Sequence, residues 1–365
     1  MKRAKNLYSS IISIDTLRVA SRAAMIGKRD RSNVQRFLDR EDAKLSHLHQ
    51  LLLNQEYHPL PYTRKFIQDK CTNKVREIFV PKFYPDQIVQ WALMIRIRPY
   101  IMRGMTASAC ASVEGRGGSY GMRFVRKWLT QDRHNTKYCL TCDIRKFYPS
   151  IDQDILMGKF HRIIKDTQTL RLIELIVRSI PSGVPIGNYT SQWFANFFLQ
   201  DFDHFVYEKL HIPHYLRYMD DMVFFSANKR TLHERRKLIV QFLKKEKLTI
   251  KPNWQIFKVA DREGDGRALD FLGYKFFRDY TTVRRRTYYR GCRRIKKASA
   301  KPYLTARDAS AIMAYHARFE QASGNQIYRD RIARFVSLGK CRYTISRHDR
   351  LAAQARKKQQ EVEAQ

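Results

Sequence analysis

The run Tyr215-Leu216-Arg217-Tyr218-Met219-Asp220-Asp221-Met222-Val223-Phe224-Phe225-Ser226 sets two adjacent carboxylates inside an otherwise apolar and aromatic stretch. Charge without a partner is expensive to hold in such surroundings. The residues on either side have strand composition, so the run reads as a hairpin with Asp220 and Asp221 at its tip. Two anions on a rigid turn each raise the cost of ionising the other unless a cation lies between them. A divalent metal resolves that conflict. A solvated polar turn is the plain alternative, but ordinary polar turns are not framed by Tyr-Met on one side and Met-Val-Phe-Phe on the other. A third carboxylate stands upstream, where Lys137 to Ile144 reads as a buried strand ending in Asp143, with Phe147 and Tyr148 shortly after it. Without the hairpin, Asp143 would read rather as a helix cap.

The elements that must position these acids follow from periodicity and punctuation. Residues 1 to about 60 read as helical, with Val34, Phe37, Leu38, Leu45, Leu48, Leu51 and Leu52 near helical spacing. Thr63 to Val80 is basic and strand-like and carries Lys70, Lys74 and Arg76. An amphipathic helix is predicted over Asp86 to Ile101, with Ile88, Trp91, Ala92 and Ile95 on one face. Ala109 to Tyr120 forms a glycine-rich loop around Gly115-Arg116-Gly117 that leads into a helix near Met122 to Leu129. Its backbone amides could approach phosphate closely, although no G-K-[ST] follows to make it a P-loop. Gln153 to Ser179 reads as helical connection. Ser182 to Gln192 reads as a glycine and proline turn opening a helix from Trp193 to about Leu210, with Phe194, Phe197, Phe198, Phe202 and Phe205 as its core stripe. After the hairpin come a basic helix over Leu232 to Lys247, a strand-like segment from Leu248 to Lys258, and an apolar element, Ala268 to Phe277, interrupted at Gly273. From Thr281 the composition changes. Arg284, Arg285, Arg286, Arg290, Arg293 and Arg294 interleave with Tyr288 and Tyr289, a pattern that suits phosphate contacts plus stacking, with a solvated helical face as the bland alternative. Helix is expected to continue to about Ser346, followed by a frayed polar tail over Leu351 to Gln365.

The chain has 365 residues and carries 70 Lys plus Arg against 34 Asp plus Glu, a formal charge of +36. That excess is spread along the chain, and 44% hydrophobic and 12% aromatic residues mark a folded protein rather than a basic disordered arm. A polyanionic partner follows, with nucleic acid the leading candidate and a structural binder of ribosomal type still open on charge alone. Cys139 and Cys142 form the only C-x-x-C, but a strand points their sulfurs to opposite faces, which favours structural thiols over half a zinc site. No signal-peptide core and no apolar run of about 20 residues is present, so no membrane association and a cytoplasmic location are expected. Three carboxylates on neighbouring strands of so basic a chain fit nucleotidyl transfer assisted by two Mg2+ ions, which take oxygen ligands.

The order of segments resembles reverse transcriptases. The motifs are Tyr218-Met219-Asp220-Asp221, the preceding Asp143-x-x-x-Phe147-Tyr148 and the following Phe271-Leu272-Gly273, and the resemblance spans roughly residues 60 to 300. It implies an α+β fold of right-hand polymerase type: a helical extension over 1–60, fingers over 61–142, a palm with an antiparallel sheet over 143–280 that takes a fingers insertion around 153–182, a helical thumb over 281–350 and a polar tail over 351–365. By the same resemblance Asp143, Asp220 and Asp221 are the catalytic carboxylates and hold the metals together with the backbone carbonyl of Ile144. Phe147 is the gate that leaves no room for a sugar 2′-hydroxyl, with Tyr148 beside it. Arg76, with Lys74 as a neighbour, contacts the triphosphate. Phe271, Leu272 and Gly273 grip the primer, Tyr218, Met219 and Arg116 line the nucleic acid, and the arginines after Thr281 open the thumb. Implied partners are an RNA template, a DNA or RNA primer and dNTPs.

Where most of the family carries Pro-Gln-Gly followed by Ser-Pro, this chain has Pro185-Ile186-Gly187-Asn188 and Ser191-Gln192. That departure resembles the reverse transcriptases of diversity-generating retroelements, as do Gly115-Arg116-Gly117, Asn253-Trp254-Gln255 and Asp270 to Tyr274. The resemblance implies error-prone copying at template adenines and a small basic accessory protein. Ile186, Gly187 and Gln192 would then border the incoming nucleotide. Other bacterial reverse transcriptases of group II intron or phage-defence type, an RNA-dependent RNA polymerase and a non-catalytic RNA-binding protein are the competing readings. The bulky Phe147 argues against ribonucleotide use. The scattered acids after Thr281, namely Asp308, Glu320, Asp330, Asp349, Glu361 and Glu363, argue against an appended nuclease.

Overall fold

Strands β4 (Tyr215–Tyr218) and β5 (Asp221–Ser226) form the expected hairpin, antiparallel with Tyr215 opposite Phe224 and Tyr218 opposite Asp221. The computed structural model describes residues 3–69, 74–322 and 332–363. Lys70 and Cys71 lie outside them. Because Tyr218 pairs with Asp221, the turn is only Met219-Asp220, and Met219 adopts φ 56° to close it. The two acids therefore do not share the tip: Asp220 occupies the turn and Asp221 is the first residue of β5.

The hairpin belongs to a four-stranded sheet in the order β4-β5-β3-β6, where β3 is Tyr138–Asp143 and β6 is Gln255–Lys258. Strand β3 is where the alternation placed it, and Cys139 and Cys142 on its two faces are both buried free thiols. Only the last part of the predicted Leu248–Lys258 strand is regular, since Pro252 lacks the N–H a ladder needs. Strands β1 (Thr63–Asp69) and β2 (Lys74–Val80) form a separate antiparallel pair. Strands β7 (Leu269–Phe271), β8 (Tyr274–Phe276) and β9 (Thr281–Val283) form a third, three-stranded sheet. Its first turn, Leu272-Gly273, has positive φ at both residues, 53° and 91°, which is the twist that a two-residue hairpin turn requires.

The chain divides into two compact units, one of Met1–Gly117, Leu140–Phe224 and Arg230–Gln255, the other of Gly118–Cys139, Phe225–Lys229 and Ile256–Gln365. In the first, helices α1 (Tyr8–Ile12), α2 (Ile14–Ala24), α3 (Ser32–Leu38) and α4 (Glu41–Leu53) bury Val34, Phe37, Leu45, Leu48 and Leu52, while Leu38 and Leu51 stay half-buried. The carboxylate of Asp166 accepts from the backbone N–H of both Leu7 and Tyr8, tying this helical extension to the rest of the unit. Helix α5 (Ile88–Met102) departs from the expected amphipathic pattern. It buries Ile88, Val89, Ala92, Leu93, Met94, Ile97 and Ile101 around most of its circumference, leaving Ile95 half-buried, and Trp91 instead stacks on Tyr189 with ring centroids 3.7 Å apart. A helix covered by neighbours on several sides carries no single apolar stripe. The aromatic helix predicted from Trp193 starts earlier and breaks in two, as Tyr189–Phe198 and Gln200–Glu208, with Leu199 at φ −89° and ψ 2° between them. In the second unit, Gly118–Gln131, Arg285–Ser299, Ala306–Gln321 and Leu338–Glu363 are helical, so the tail expected to fray continues the last helix. Among the described residues no helix is long and apolar enough to cross a membrane.

Strand β4 is fixed by an arginine inside the core. Arg217 is 0% exposed and its guanidinium donates to Asp203 Oδ1 at 2.7 Å, Asp203 Oδ2 at 2.8 Å and Asn196 Oδ1 at 2.6 Å. Tyr215 adds a hydroxyl donor to Asp203 at 2.9 Å. The backbone of Arg217 meanwhile pairs with Ser108 and Cys110, which covers the open edge of the sheet. Removing one member of a buried, fully bonded pair strands the other charge. Arg217→Met is therefore expected to cost about 3–5 kcal/mol, read as a lowered urea midpoint, and a midpoint equal to that of the wild type would remove the pair from this structural role.

Candidate functional site

Asp143 ends β3 between two neighbours that hold it from either side. The Ile144 N–H donates to the carbonyl of Asp220 at 3.2 Å, which sets the hairpin turn against the end of β3. On the other side Lys251 N–H donates to the Asp143 carbonyl at 2.8 Å and Arg145 N–H to that of Thr249 at 2.7 Å. Ile144 itself is fully buried. Backbone pairing thus brings Asp143 and Asp220 together from distant parts of the chain.

Their electrostatics are strained. Burial first, and then the charge of Asp143, push the Asp220 carboxyl up to about 6, and a hydrogen bond between the two carboxyls adds to the shift. Among the described residues the cation paired with Asp143 is Lys251, whose Nζ lies 2.5 Å from Asp143 Oδ1. That contact is an ion pair without hydrogen-bond geometry, and the buried Oδ1 has no hydrogen-bond partner. Asp221 opens β5 and together with Asp143 reinforces the effect of burial in raising the Cys142 thiol. Cys142 therefore stays protonated, as a structural thiol does. Among the described residues no group of three His, Cys, Asp or Glu side chains is assembled as a ready metal cluster. The structure thus brings Asp143 and Asp220 into contact and leaves Asp221 adjacent to them.

Around this pair the aromatic and loop residues are closely packed. Lys146 at φ 46° turns the chain so that Phe147 is buried, 2% exposed, with the Tyr148 ring 5.6 Å from its own. Burial and then Asp220 push the Tyr148 hydroxyl up to about 12, against the opposing charge of Arg76. Arg76 is exposed on β2, and Lys74 opens that strand with its side chain outside the described residues. The Ile186 carbonyl accepts the Phe79 N–H at 2.7 Å, and Gly187 sits at φ 129° where a Cβ would come 2.2 Å from the Phe79 carbonyl oxygen. Only glycine fits that approach. Ile186 is half-buried and Gln192 exposed in the first turn of its helix.

The remaining expected residues belong to both units. Tyr218 is 41% exposed and Met219 buried. The Arg116 guanidinium donates to the carbonyls of Thr106 at 2.5 Å and Ala109 at 3.0 Å, bracing its own loop. In the second unit Phe271 is buried, with Leu272 and Gly273 forming the turn, and Arg284 pairs with Asp270 at 2.6 Å. Arg294 is bound at 2.7 Å to Asp308, which is 1% exposed, so it serves helix packing. Arg285, Arg286 and Arg293 are exposed and Arg290 half-buried on the same helix, and Gly291 lets that helix pack against Tyr315 and Phe319. Sequence reasoning missed Lys251 and the Arg217–Asp203 pair. The available signal for Arg217 was a cation inside an apolar strand; for Lys251, a cation in the first strand-like residues after a helix.

Residues 68–276 match the family model described as Reverse transcriptase (RNA-dependent DNA polymerase). Protein YkfC of Escherichia coli (strain K12) is 24% identical over 169 residues, 43% of this chain and 44% of YkfC. Group II intron-encoded protein LtrA of Lactococcus lactis subsp. cremoris is 25% identical over 181 residues, 45% of this chain and 28% of LtrA. The chain thus spans less than half the length of these curated relatives. Among solved structures, apo telomerase from Candida Tropicalis aligns with a TM-score of 0.49 and 11% identity over 70% of this chain and 52% of that one. The family match takes in more than half of the sequence, the four-stranded sheet with Asp143, Asp220 and Asp221 included, and the chain belongs to the reverse transcriptase (RNA-dependent DNA polymerase) family with its α+β polymerase fold.

Proposed function

We propose that this protein is an RNA-directed DNA polymerase that copies an RNA template into cDNA at a site built on Asp143, Asp220 and Asp221. The observation that carries the reading is the contact between Asp143 and Asp220, two carboxylates held together at the ends of neighbouring strands in a chain of formal charge +36. Oxygen-only donors, a buried Asp143 Oδ1 without a hydrogen bond and an Asp220 carboxyl raised to about 6 all fit a site that takes Mg2+. Asp143, Asp220, Asp221 and the Ile144 carbonyl would hold two such ions, which when bound supply acidification of a primer 3′-hydroxyl and neutralise triphosphate charge. The protein's own side chains do the rest. Arg76 binds triphosphate oxygens, the buried Phe147 ring excludes a 2′-hydroxyl, and the basic helix after Thr281 carries the template and primer.

Primer extension on an RNA template, with dNTPs and in parallel with rNTPs, tests this directly. Asp220→Ala/Asp221→Ala is expected to lower dNTP extension by more than about 100-fold, the scale of lost charge stabilisation in a transition state. Undiminished extension by that variant, or equal use of rNTPs, would overturn the reading.

The finer reading is a reverse transcriptase of a diversity-generating retroelement, error-prone at template adenines and working with a small basic accessory protein. It is supported by the Ile186-Gly187-Asn188 box, where an apolar side chain stands in place of a glutamine amide able to hydrogen-bond near the incoming nucleotide. Discrimination that rests on geometry weakens when a positioning contact is missing. The 25% identity to LtrA favours an intron-type enzyme as the second reading. Ile186→Gln is expected to lower adenine misincorporation roughly 2- to 10-fold, the worth of one hydrogen bond, in sequenced cDNA libraries. An error spectrum without adenine bias in the wild type would favour the intron-type reading instead.

A further inference from the structure

Among the described residues, the cation paired with the carboxylate site is Lys251. Lys251 reaches Asp143 Oδ1 at 2.5 Å, while its own N–H is fixed to the Asp143 carbonyl at 2.8 Å. Its side chain is 26% exposed and that of Asp143 34%, so the pair is partly shielded from water and from screening salt. The ammonium also acts on Asp220, whose ionisation it favours. Lys251 is thus the cation paired with Asp143, the acid that Asp220 contacts. A divalent ion must approach a carboxylate oxygen to about 2.1 Å, and an ammonium already against the same oxygen both blocks that approach and repels the incoming charge.

Resting on the proposed metal-dependent function, we propose that Lys251 is a resident counter-ion of the carboxylate pair, which keeps Asp143 and Asp220 together without metal and must swing away for a divalent ion to bind. It sets the affinity of the site for metal by competing for Asp143 Oδ1. The backbone bond to Asp143 anchors the strap while the four-carbon stem leaves the ammonium free to move, which makes the exchange local.

The test is Mn2+ binding to the full chain, without nucleotide or nucleic acid, followed by electron paramagnetic resonance and by the Mn2+-induced rise in melting temperature. Lys251→Met and the polar Lys251→Gln are each expected to bind Mn2+ about 10-fold tighter, the scale of removing one adjacent like charge. Both should melt lower than the wild type in chelator and gain more on adding Mn2+. Lys251→Arg, which keeps the charge, is expected to stay near wild type. Unchanged or weaker Mn2+ binding in whichever neutral variant folds would overturn the proposal. Asp143→Asn separates this outcome from failure of the metal-site reading: weakened binding there with no effect at Lys251 sinks the counter-ion alone, and undiminished binding there sinks both.

Discussion

Like charges held in contact set the terms for everything around them. Burial and the neighbouring charge of Asp143 both penalise the ionised form of Asp220, so the pair pulls against the fold. Such an arrangement persists only where the backbone over-determines it. Here the determination is redundant: β3 and the β4–β5 turn are joined by the Ile144 to Asp220 hydrogen bond, and the end of β3 is joined again to residues 249–251. Behind the hairpin, Arg217 and Asp203 form the opposite kind of charge pair, fully buried and fully bonded. One pair is satisfied so that the strand carrying the other cannot yield.

The acids were more legible in the sequence than the geometry that holds them. Asp143, Asp220 and Asp221 stood out because acids in apolar strands demand an explanation, and the hairpin and β3 followed from alternation. What alternation could not fix was the register of the turn, because one extra pair, Tyr218 with Asp221, decides which acid sits at the tip. Tertiary contact overrode periodicity at α5, where Trp91 is claimed by Tyr189, and at Leu199, where a continuous aromatic stripe hides a break between two helices. The Lys251 contact was invisible for a plainer reason. It joins residues far apart in the chain through a segment with little regular structure, and no local pattern encodes it.

Several expected nucleic-acid contacts prove to have work inside the protein. Arg116 braces the loop that carries it, and Arg294 answers a buried aspartate. In a chain this basic, positive residues are numerous enough to serve both ends. Sequence composition reports their sum but not their division.

The union of Ile186 and Gly187 with Phe79 has a mechanical meaning. A hydrogen bond and a carbonyl packed where no side chain would fit leave almost no slack between the β1–β2 hairpin and the Ile186 segment. Arg76 lies three residues from Phe79 on the same strand. The strand that carries the arginine and the residue that departs most from the family pattern are thus fastened at a single rigid joint.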